Sequence, residues 1–188
     1  SEFAWQEAEK TTPSDKVQLG CVYDSVADTA AFNVWAPSST NAVLKLYKKD
    51  TDKDAAKSVD MSKNSKTGVW SATVKGAGID GWFYTYLLDN ANGSNEVLDP
   101  YASSMAAYRN EGGSGRAAVV DMNSKKSLPS GWENNYVKLA QREDAIIYEV
   151  SVRDFTISPD AGVKAIPGTY KAFIEKLPYL KSLGITHI

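Results

Sequence analysis

Apolar and polar positions alternate in several short runs along the first two thirds of the chain, and this period of two predicts β-strands. In AFNVWAP (31–37), Phe32 and Val34 fall on one face and Asn33 and Trp35 on the other, and a proline ends the run. AVLKLYK (42–48) and GVWSATV (68–74) alternate in the same way. Ala42, Leu44 and Leu46 share one face of the former run, and Trp70, Ala72 and Val74 share one face of the latter.

A fourth run, GWFYTYLLD (81–89), is followed by the turn sequence NANG (90–93). It places Trp82, Tyr84, Tyr86 and Leu88 on one face. Residues 4–30 are predicted to be irregular, KKDTDKDAAK to be a solvated loop, and AAVVDM to be a last strand after the glycine-rich tract EGGSGR. Short alternating strands separated by turns predict an immunoglobulin-like β-sandwich over residues 17–121, preceded by a tail or linker at 1–16.

The pattern changes after a polar linker predicted at 122–144. AIIYEVSV (145–152) is a nearly continuous apolar run, typical of a strand covered on both faces in a parallel sheet. GTYKAFIEKLPYLKSLG (168–184) has helical spacing, with Pro178 expected to break the helix and Gly184 to cap it. ITHI then begins another apolar strand. Residues 145–188 are therefore predicted to form a βαβ unit at the truncated start of a larger α/β domain.

Composition and charge exclude several classes of function. The 188 residues carry 21 basic and 23 acidic side chains without a block of one sign, which argues against a nucleic-acid-binding face. No apolar stretch approaches the roughly 18 residues of a membrane span, and no metal or cofactor motif occurs. The single cysteine, Cys21, is interpreted as a small hydrophobe, and the single histidine, His187, as a buried structural residue.

Four segments carry a resemblance to a known family. FNVWAP, GVWSATV, GWFYTYLLD and LDPYA (98–102) resemble, in this order, the family 48 carbohydrate-binding modules that precede the catalytic barrel in starch-debranching and glycogen-branching enzymes. Residues 145–188 resemble the first strand, first helix and second strand of the (β/α)8 barrel of glycoside hydrolase family 13. The ending of YEVSVRDFT (148–156) is similar to the first barrel strand of type I pullulanases.

The resemblance implies a starch-debranching hydrolase that cleaves α-1,6-glucosidic linkages with retention of configuration, needs no cofactor, and acts on pullulan, amylopectin or limit dextrins. Its remaining catalytic barrel would be supplied in cis or on a second chain. A polymeric substrate favours an extracellular or cell-surface location, and a cytoplasmic one stays open. The alternative hypothesis is a stand-alone, non-catalytic module that binds α-glucan.

A pair of carboxylates inside this chain is not expected to perform the hydrolysis. On an extended strand rising about 3.3 Å per residue, the Cα atoms of Glu149 and Asp154 would lie about 16 Å apart. Glycosidase carboxyl groups are usually about 5 to 9.5 Å apart. No catalytic residue is therefore assigned, and Arg153 and Asp154 are interpreted as structural charges at the barrel rim.

Sugar binding requires exposed aromatic rings with polar neighbours, because aromatic faces stack on the C–H surfaces of pyranose rings. The candidates are Trp35, Trp70, Trp82 and Tyr84. Starch-binding members of the resembled family commonly have a tryptophan after the turn that precedes the Asp-Pro pair, and a lysine in the preceding tyrosine-rich strand. Here the turn region reads Asn92 to Glu96, and Thr85 stands at the lysine position. These departures favour a module that scaffolds the barrel and binds glucan weakly.

The α/β segment is also expected to leave apolar side chains exposed, because one βαβ unit cannot cover its own faces. The residues concerned are Ile146, Tyr148, Val150, Phe173 and Leu177.

Overall fold

The computed structural model describes residues 11–13, 16–107, 115–134, 136 and 138–188. The tail predicted at 1–16 lies mostly outside the described residues, as does most of the glycine-rich tract. The chain divides into two compact units, Ser1–Ser130 and Gly131–Ile188.

The first unit is mainly β, with two antiparallel sheets in its described part, and is a sandwich as predicted. Its four-stranded sheet has the order β1-β2-β6-β5, and its second sheet has the order β4-β3-β7-β8, with β9 also pairing with β7. The strands are β1 (Gly20–Asp24), β2 (Thr29–Trp35), β3 (Asn41–Tyr47), β4 (Lys57–Asp60), β5 (Ser62–Asn64), β6 (Val69–Lys75), β7 (Phe83–Asn90), β8 (Gly93–Val97) and β9 (Ala117–Ala118).

The core of the sandwich contains one face of each of the alternating runs. Phe32, Ala42, Leu44, Leu46 and Tyr86 are fully buried, and the residues on the shared face of β6 are buried as well. Phe32 meets Tyr84 edge to face, with ring centroids 5.0 Å apart. The shared faces predicted for β2, β3 and β6 are therefore confirmed, because the period of two matches the pleat of each strand. In β7 the prediction holds for Tyr84 and Tyr86, whereas Leu88 is only half-buried and Thr85 on the other face is buried.

Strands that lack a clear apolar alternation escaped prediction. Residues 4–30 were expected to be irregular, yet β1 forms there by pairing along its length with β2. β4, β5 and β8 are polar strands at sheet edges, where pairing with one inner neighbour replaces burial as the stabilising factor. The strand predicted in AAVVDM is only two residues long in the structure.

The chain approaches itself closely at Gly20, the first residue of β1. Gly20 has φ +95°, and a Cβ atom added there would lie 2.8 Å from the carbonyl oxygen of Tyr101. Only glycine tolerates both the positive φ and this approach. The loop after Asp99 is thereby held against the edge of the four-stranded sheet.

Residues on both sides of the glycine-rich tract are joined by backbone hydrogen bonds. Ala106 N–H donates to Arg116 O at 2.9 Å, and Ala118 N–H donates to Ser104 O at 2.8 Å. Met105 and Ala117 form an antiparallel bridge between them. The two flanks of the tract therefore form a closed ladder.

The second unit consists of short helices and turns in its described part. Its helices are α1 (Val152–Thr156), α2 (Tyr170–Ile174) and α3 (Leu177–Ser182). Short 3-10 turns lie at Trp132–Asn134, Arg142–Asp144 and Pro159–Ala161. Phe155 packs between Tyr148 and Phe173, with ring centroids 6.2 and 5.2 Å away.

The strand predicted at 145–152 is largely wrong. Within the described residues, the only pairing there is a parallel bridge between Ile147 and His187. Strand-like pairing is present only at residues 146–148, where residues 186–187 run beside them. From Val152 to Thr156 the chain is helical, and Ser151 caps this helix by accepting the backbone N–H of Asp154.

The predicted helix over 168–184 is present but is divided into α2 and α3. Pro178 lies in the first turn of α3, where a proline needs no backbone donor. Gly184, with φ +80°, follows the last turn as predicted. The expected apolar stripe is only partly buried: Phe173 is 7% exposed, whereas Tyr170 is 75% exposed.

The expected exposure of apolar side chains in the second unit is largely confirmed. Ile146 is 50%, Tyr148 37% and Leu177 39% exposed, but Val150 is only partly exposed and Phe173 is buried. Phe173 differs because its ring packs on Phe155, a contact within the unit that linear spacing does not reveal.

Candidate carbohydrate-binding surface

Trp35 is the predicted sugar contact that the structure leaves most accessible. It is the last residue of β2, on the outward face, and is 37% exposed. Its indole Nε1–H donates to Thr67 O at 3.0 Å, in the turn between β5 and β6. This hydrogen bond fixes the orientation of the ring, so Trp35 offers a preset aromatic surface.

Trp70 lies inside the sandwich and offers no ring face to a ligand. It is 5% exposed, and its Nε1–H donates to Ala36 O at 3.0 Å. The Lys63 ammonium lies 5.5 Å from the ring centroid and donates to the carbonyls of Pro37 and Ser39. Trp70 therefore helps to close one end of the core.

Trp82 is less exposed than Trp35 and more exposed than Trp70. It is half-buried against the core and precedes β7, and its carbonyl accepts a hydrogen bond from Val119 N–H. The Lys48 ammonium lies 5.8 Å from its ring centroid, a cation–π contact that occupies part of the ring's surroundings.

Tyr84 is fully buried, and its hydroxyl belongs to an internal network. Tyr84 and Tyr86 both donate to Asp99 Oδ2, at 2.8 and 3.0 Å, and Tyr101 N–H donates to Asp99 Oδ1 at 2.8 Å. Burial first, and the Asp99 carboxylate second, raise the pKa of both tyrosines above the usual range. The same two causes raise the pKa of the Cys21 thiol to about 12. The network joins β7 to the LDPYA segment and is structural.

The outward face of the second sheet is occupied by a network centred on Glu96 of β8. Tyr47 and Thr85 donate to Glu96 Oε1 at 2.6 and 2.7 Å, and Lys45 donates to Oε2 at 3.2 Å. Burial alone would raise the pKa of Glu96, but these hydrogen bonds outweigh it and hold that pKa below its usual value. Thr85, which stands at the expected lysine position, is therefore a hydrogen-bond donor to Glu96.

Arg116 completes this face from the far side of Tyr47. Its guanidinium lies 3.5 Å from the centroid of the Tyr47 ring. It donates to the carbonyls of Lys49, Asp50 and Asp52 at 3.1, 3.0 and 2.6 Å. The planar fork of arginine suits such stacking and multiple donation, so Arg116 holds the β3–β4 loop in place.

Arg153 and Asp154 lie together on α1, not at the end of an extended strand. Their side chains form an exposed ion pair at 3.2 Å, and exposed pairs of this kind contribute little to stability. The extended geometry assumed for Glu149 and Asp154 is therefore wrong beyond Ser151. His187 was expected to be buried but is exposed, with Nδ1 2.8 Å from Thr186 Oγ1.

Within the described ranges, no group of three or more His, Cys, Asp or Glu side chains could hold a metal ion. No helix in the same part of the chain is long and apolar enough to cross a membrane.

Three structurally important side chains escaped sequence reasoning: Glu96, Asp99 and Arg116. Glu96 and Arg116 follow turn-rich segments, and each contacts residues more than ten positions away. The sequence does contain a signal for Asp99. An Asp-Pro pair follows a strand with alternating tyrosines, and the carboxylate of the aspartate can accept hydrogen bonds from the tyrosine hydroxyls.

Comparison with known proteins identifies the first unit. The profile of Carbohydrate-binding module 48 (Isoamylase N-terminal domain) matches residues 18–102. Pullulanase A of Streptococcus pneumoniae serotype 4 is 31% identical over an alignment 202 residues long, which covers 98% of this chain and 15% of that protein. The chain therefore spans a minor part of this relative's length.

Two solved structures are similar across nearly the whole chain. One is the catalytic module of the multi-modular glycogen-degrading pneumococcal virulence factor SpuA in complex with an inhibitor (31% identity, TM-score 0.80, 98% of this chain and 28% of that chain). The other is the Group B Streptococcus pullulanase SAP in complex with maltotetraose (31% identity, TM-score 0.75, 94% of this chain and 24% of that chain). The chain therefore carries a family 48 carbohydrate-binding module at residues 18–102, and as a whole it is similar to the N-terminal region of pullulanases.

Proposed function

We propose that this chain is part of a starch-debranching hydrolase that cleaves α-1,6-glucosidic linkages with retention of configuration. The single observation that carries the proposal is the similarity to pullulanases along 98% of the chain, which includes both compact units. The parent's substrates would be pullulan, amylopectin or limit dextrins. Residues 145–188 would form the start of its catalytic barrel, joined to a module at 17–121 by a linker at 122–144.

In this proposal the chain alone is inactive, and the module positions the barrel or binds α-glucan weakly. Asp154, the acidic residue of α1, is paired with its neighbour Arg153. The exposed apolar side chains Ile146, Ile147 and Leu177 would be covered by the remaining barrel, in cis or on a second chain.

The test is a reducing-end assay with pullulan and the purified 188-residue chain, with a complete pullulanase as the positive control. No release of sugar above buffer is expected. Hydrolysis by the chain that disappears in Asp154→Asn or Glu149→Gln would overturn the proposal, because it would place the reaction inside these residues.

A stand-alone α-glucan-binding module is the second candidate, favoured by the match of residues 18–102 to a carbohydrate-binding family. Calorimetric titration with maltoheptaose separates the two roles. Saturable binding supports a sugar-binding module, whereas no heat up to about 10 mM sugar, a range that would detect even very weak complexes, supports scaffolding.

A further inference from the structure

A row of small, uncharged residues crosses the outward face of the four-stranded sheet. Directly paired residues share a face, and Asn33 of β2 pairs with Gly20 of β1 on one side and with Ser71 of β6 on the other. Ser62 of β5 continues the row beyond Ser71. Gly20 is buried against the backbone of Tyr101, so the accessible part of the row consists of Asn33, Ser71 and Ser62, none of which has a bulky side chain.

Trp35 stands beside this row on the same face. It lies two residues beyond Asn33 on β2, so its Cα is about 6.6 Å from that of Asn33 at about 3.3 Å per residue. Its exposed ring is held by the hydrogen bond to Thr67. A ring that is already oriented loses little conformational freedom when a ligand stacks on it.

A second exposed aromatic residue, Tyr101, lies at the β1 end of the row. Tyr101 is 61% exposed, and its backbone lies against Gly20. Strand spacing of about 4.8 Å and a rise of about 6.6 Å over two residues separate Gly20 from Trp35 by about 8 Å. Trp35 therefore lies along β2 from Asn33, and Tyr101 lies across the ladder from Asn33, next to Gly20.

The polar groups between them are oriented and keep acceptor capacity. Ser71 Oγ–H donates to Asn33 Oδ1 at 2.7 Å, and Asn33 Nδ2–H donates to Gln18 O at 2.9 Å. A hydroxyl has two acceptor lone pairs, and an amide oxygen has two. Ser71 Oγ and Asn33 Oδ1 are therefore suited to accept hydrogen bonds from hydroxyl groups of a ligand.

We propose that Trp35, Asn33 and Ser71, bordered by Tyr101, form a binding site for a neutral α-glucan chain. The ring of Trp35 stacks on one glucosyl unit, and the Asn33–Ser71 pair accepts hydroxyl hydrogens from the next. The opposite sheet is a poorer surface, because its Glu96 carboxylate already binds Tyr47, Thr85 and Lys45. This inference rests on the glucan-binding role in the proposed function and assigns that role to one face.

The first experiment is a titration of the 15N-labelled chain with maltoheptaose, followed through the indole N–H signals of its five tryptophans. The Trp35 signal, assigned by its loss in Trp35→Phe, is expected to shift progressively and to saturate. The signal of Trp132, 58% exposed in the second unit, is expected to stay in place and serves as the internal control.

The second experiment measures affinity in matched variants by calorimetry. Trp35→Ala is expected to weaken binding by about 10-fold, as stacking and burial of an aromatic ring imply. Trp35→Phe, which keeps an aromatic face but loses the bond to Thr67, is expected to stay within about threefold. Trp132→Ala is the control and leaves affinity unchanged. Core methyl signals check that each variant is folded.

The outcomes separate this inference from the proposed function. Saturable binding with an unshifted Trp35 signal and full affinity in folded Trp35→Ala and Trp35→Phe overturns the inference but leaves glucan binding by the module intact. Absence of any binding up to about 10 mM maltoheptaose overturns both the inference and the glucan-binding role.

Discussion

The buried hydrogen bonds to Asp99 make a sharp prediction about the stability of the sandwich. Tyr84→Phe and Tyr86→Phe each remove one hydroxyl donor from Asp99 Oδ2 but keep the ring. The edge-to-face contact between the two rings, with centroids 5.7 Å apart, is therefore expected to persist. The change isolates the hydrogen bond from the packing.

The magnitude follows from the charge and the burial of the acceptor. Asp99 is 2% exposed, so a lost donor is not simply replaced by bulk water. A hydrogen bond to a charged group contributes about 1.5–3 kcal/mol, and each single variant should lose about that much free energy of unfolding. The double variant should lose more than the sum, because after the first deletion the second hydroxyl still stabilises the carboxylate.

The assay is urea unfolding followed by the backbone amide signals of Leu44 and Leu46, two core residues of β3 that report on the sandwich alone. With a slope of about 1–3 kcal/mol per molar urea, a loss of about 2 kcal/mol moves the midpoint by roughly 1 M. Tyr101→Phe is the matched control, since its side chain is 61% exposed, and should change stability by less than about 0.5 kcal/mol.

The reasoning would be refuted if the double variant unfolded within about 1 kcal/mol of the parent chain, with an unchanged slope. That result would mean that the carboxylate of Asp99 finds equivalent partners without either hydroxyl.

Three further predictions concern other contacts of the sandwich. Arg116→Lys should destabilise it by about 1–3 kcal/mol, because lysine cannot stack flat on Tyr47 while donating to three carbonyls; an unchanged urea midpoint would contradict this. Burial, then a hydrogen bond to Asp28, raises the pKa of Tyr23 to about 12. Its contribution to stability should be complete below about pH 10, the pKa of tyrosine in the unfolded chain, and should be lost as the pH rises toward 12. Urea midpoints that stay constant from about pH 9 to 11.5 would count against it. Gly20→Ala should cost at least about 1–2 kcal/mol through its positive φ and clash, measured by thermal melting, and a melting temperature equal to that of the parent would disprove the close approach.

The strands of the core were predictable because burial imposes a pattern on neighbouring residues. Leu44 and Leu46 alternate with polar residues, and a local reading of the chain suffices to place them inward. The edge strands were not predictable, because a strand such as β5 (Ser62–Asn64) is stabilised by its pairing with β6, and its own three residues are all exposed.

The start of α1 shows how a local signal can override an apolar run. Ser151 and Asp154 form an N-cap arrangement that the sequence displays, but the preceding apolar residues favoured continuation of a strand. A capping interaction of about 1 kcal/mol decides the outcome where a strand has little pairing to gain.

The candidate site was predictable only in part. Trp35 could be placed on an outward face by alternation, and Tyr84 on an inward one, but the burial of Trp70 and the pairing of Asn33 with Ser71 depend on partners more than thirty residues away. The aromatic residues could be identified as candidates, but their exposure required the fold.

The ladder between Ser104–Ala106 and Arg116–Ala118 has a consequence for engineering. Both flanks of the intervening segment are fastened to each other and, through β9 and Arg116, to the rest of the sandwich. Lengthening a chain segment whose two flanks are already held together costs little, about 0.6 kcal/mol per doubling of its length. The stretch between residues 107 and 115 is therefore a suitable place to insert a peptide tag or a second domain without rebuilding the module.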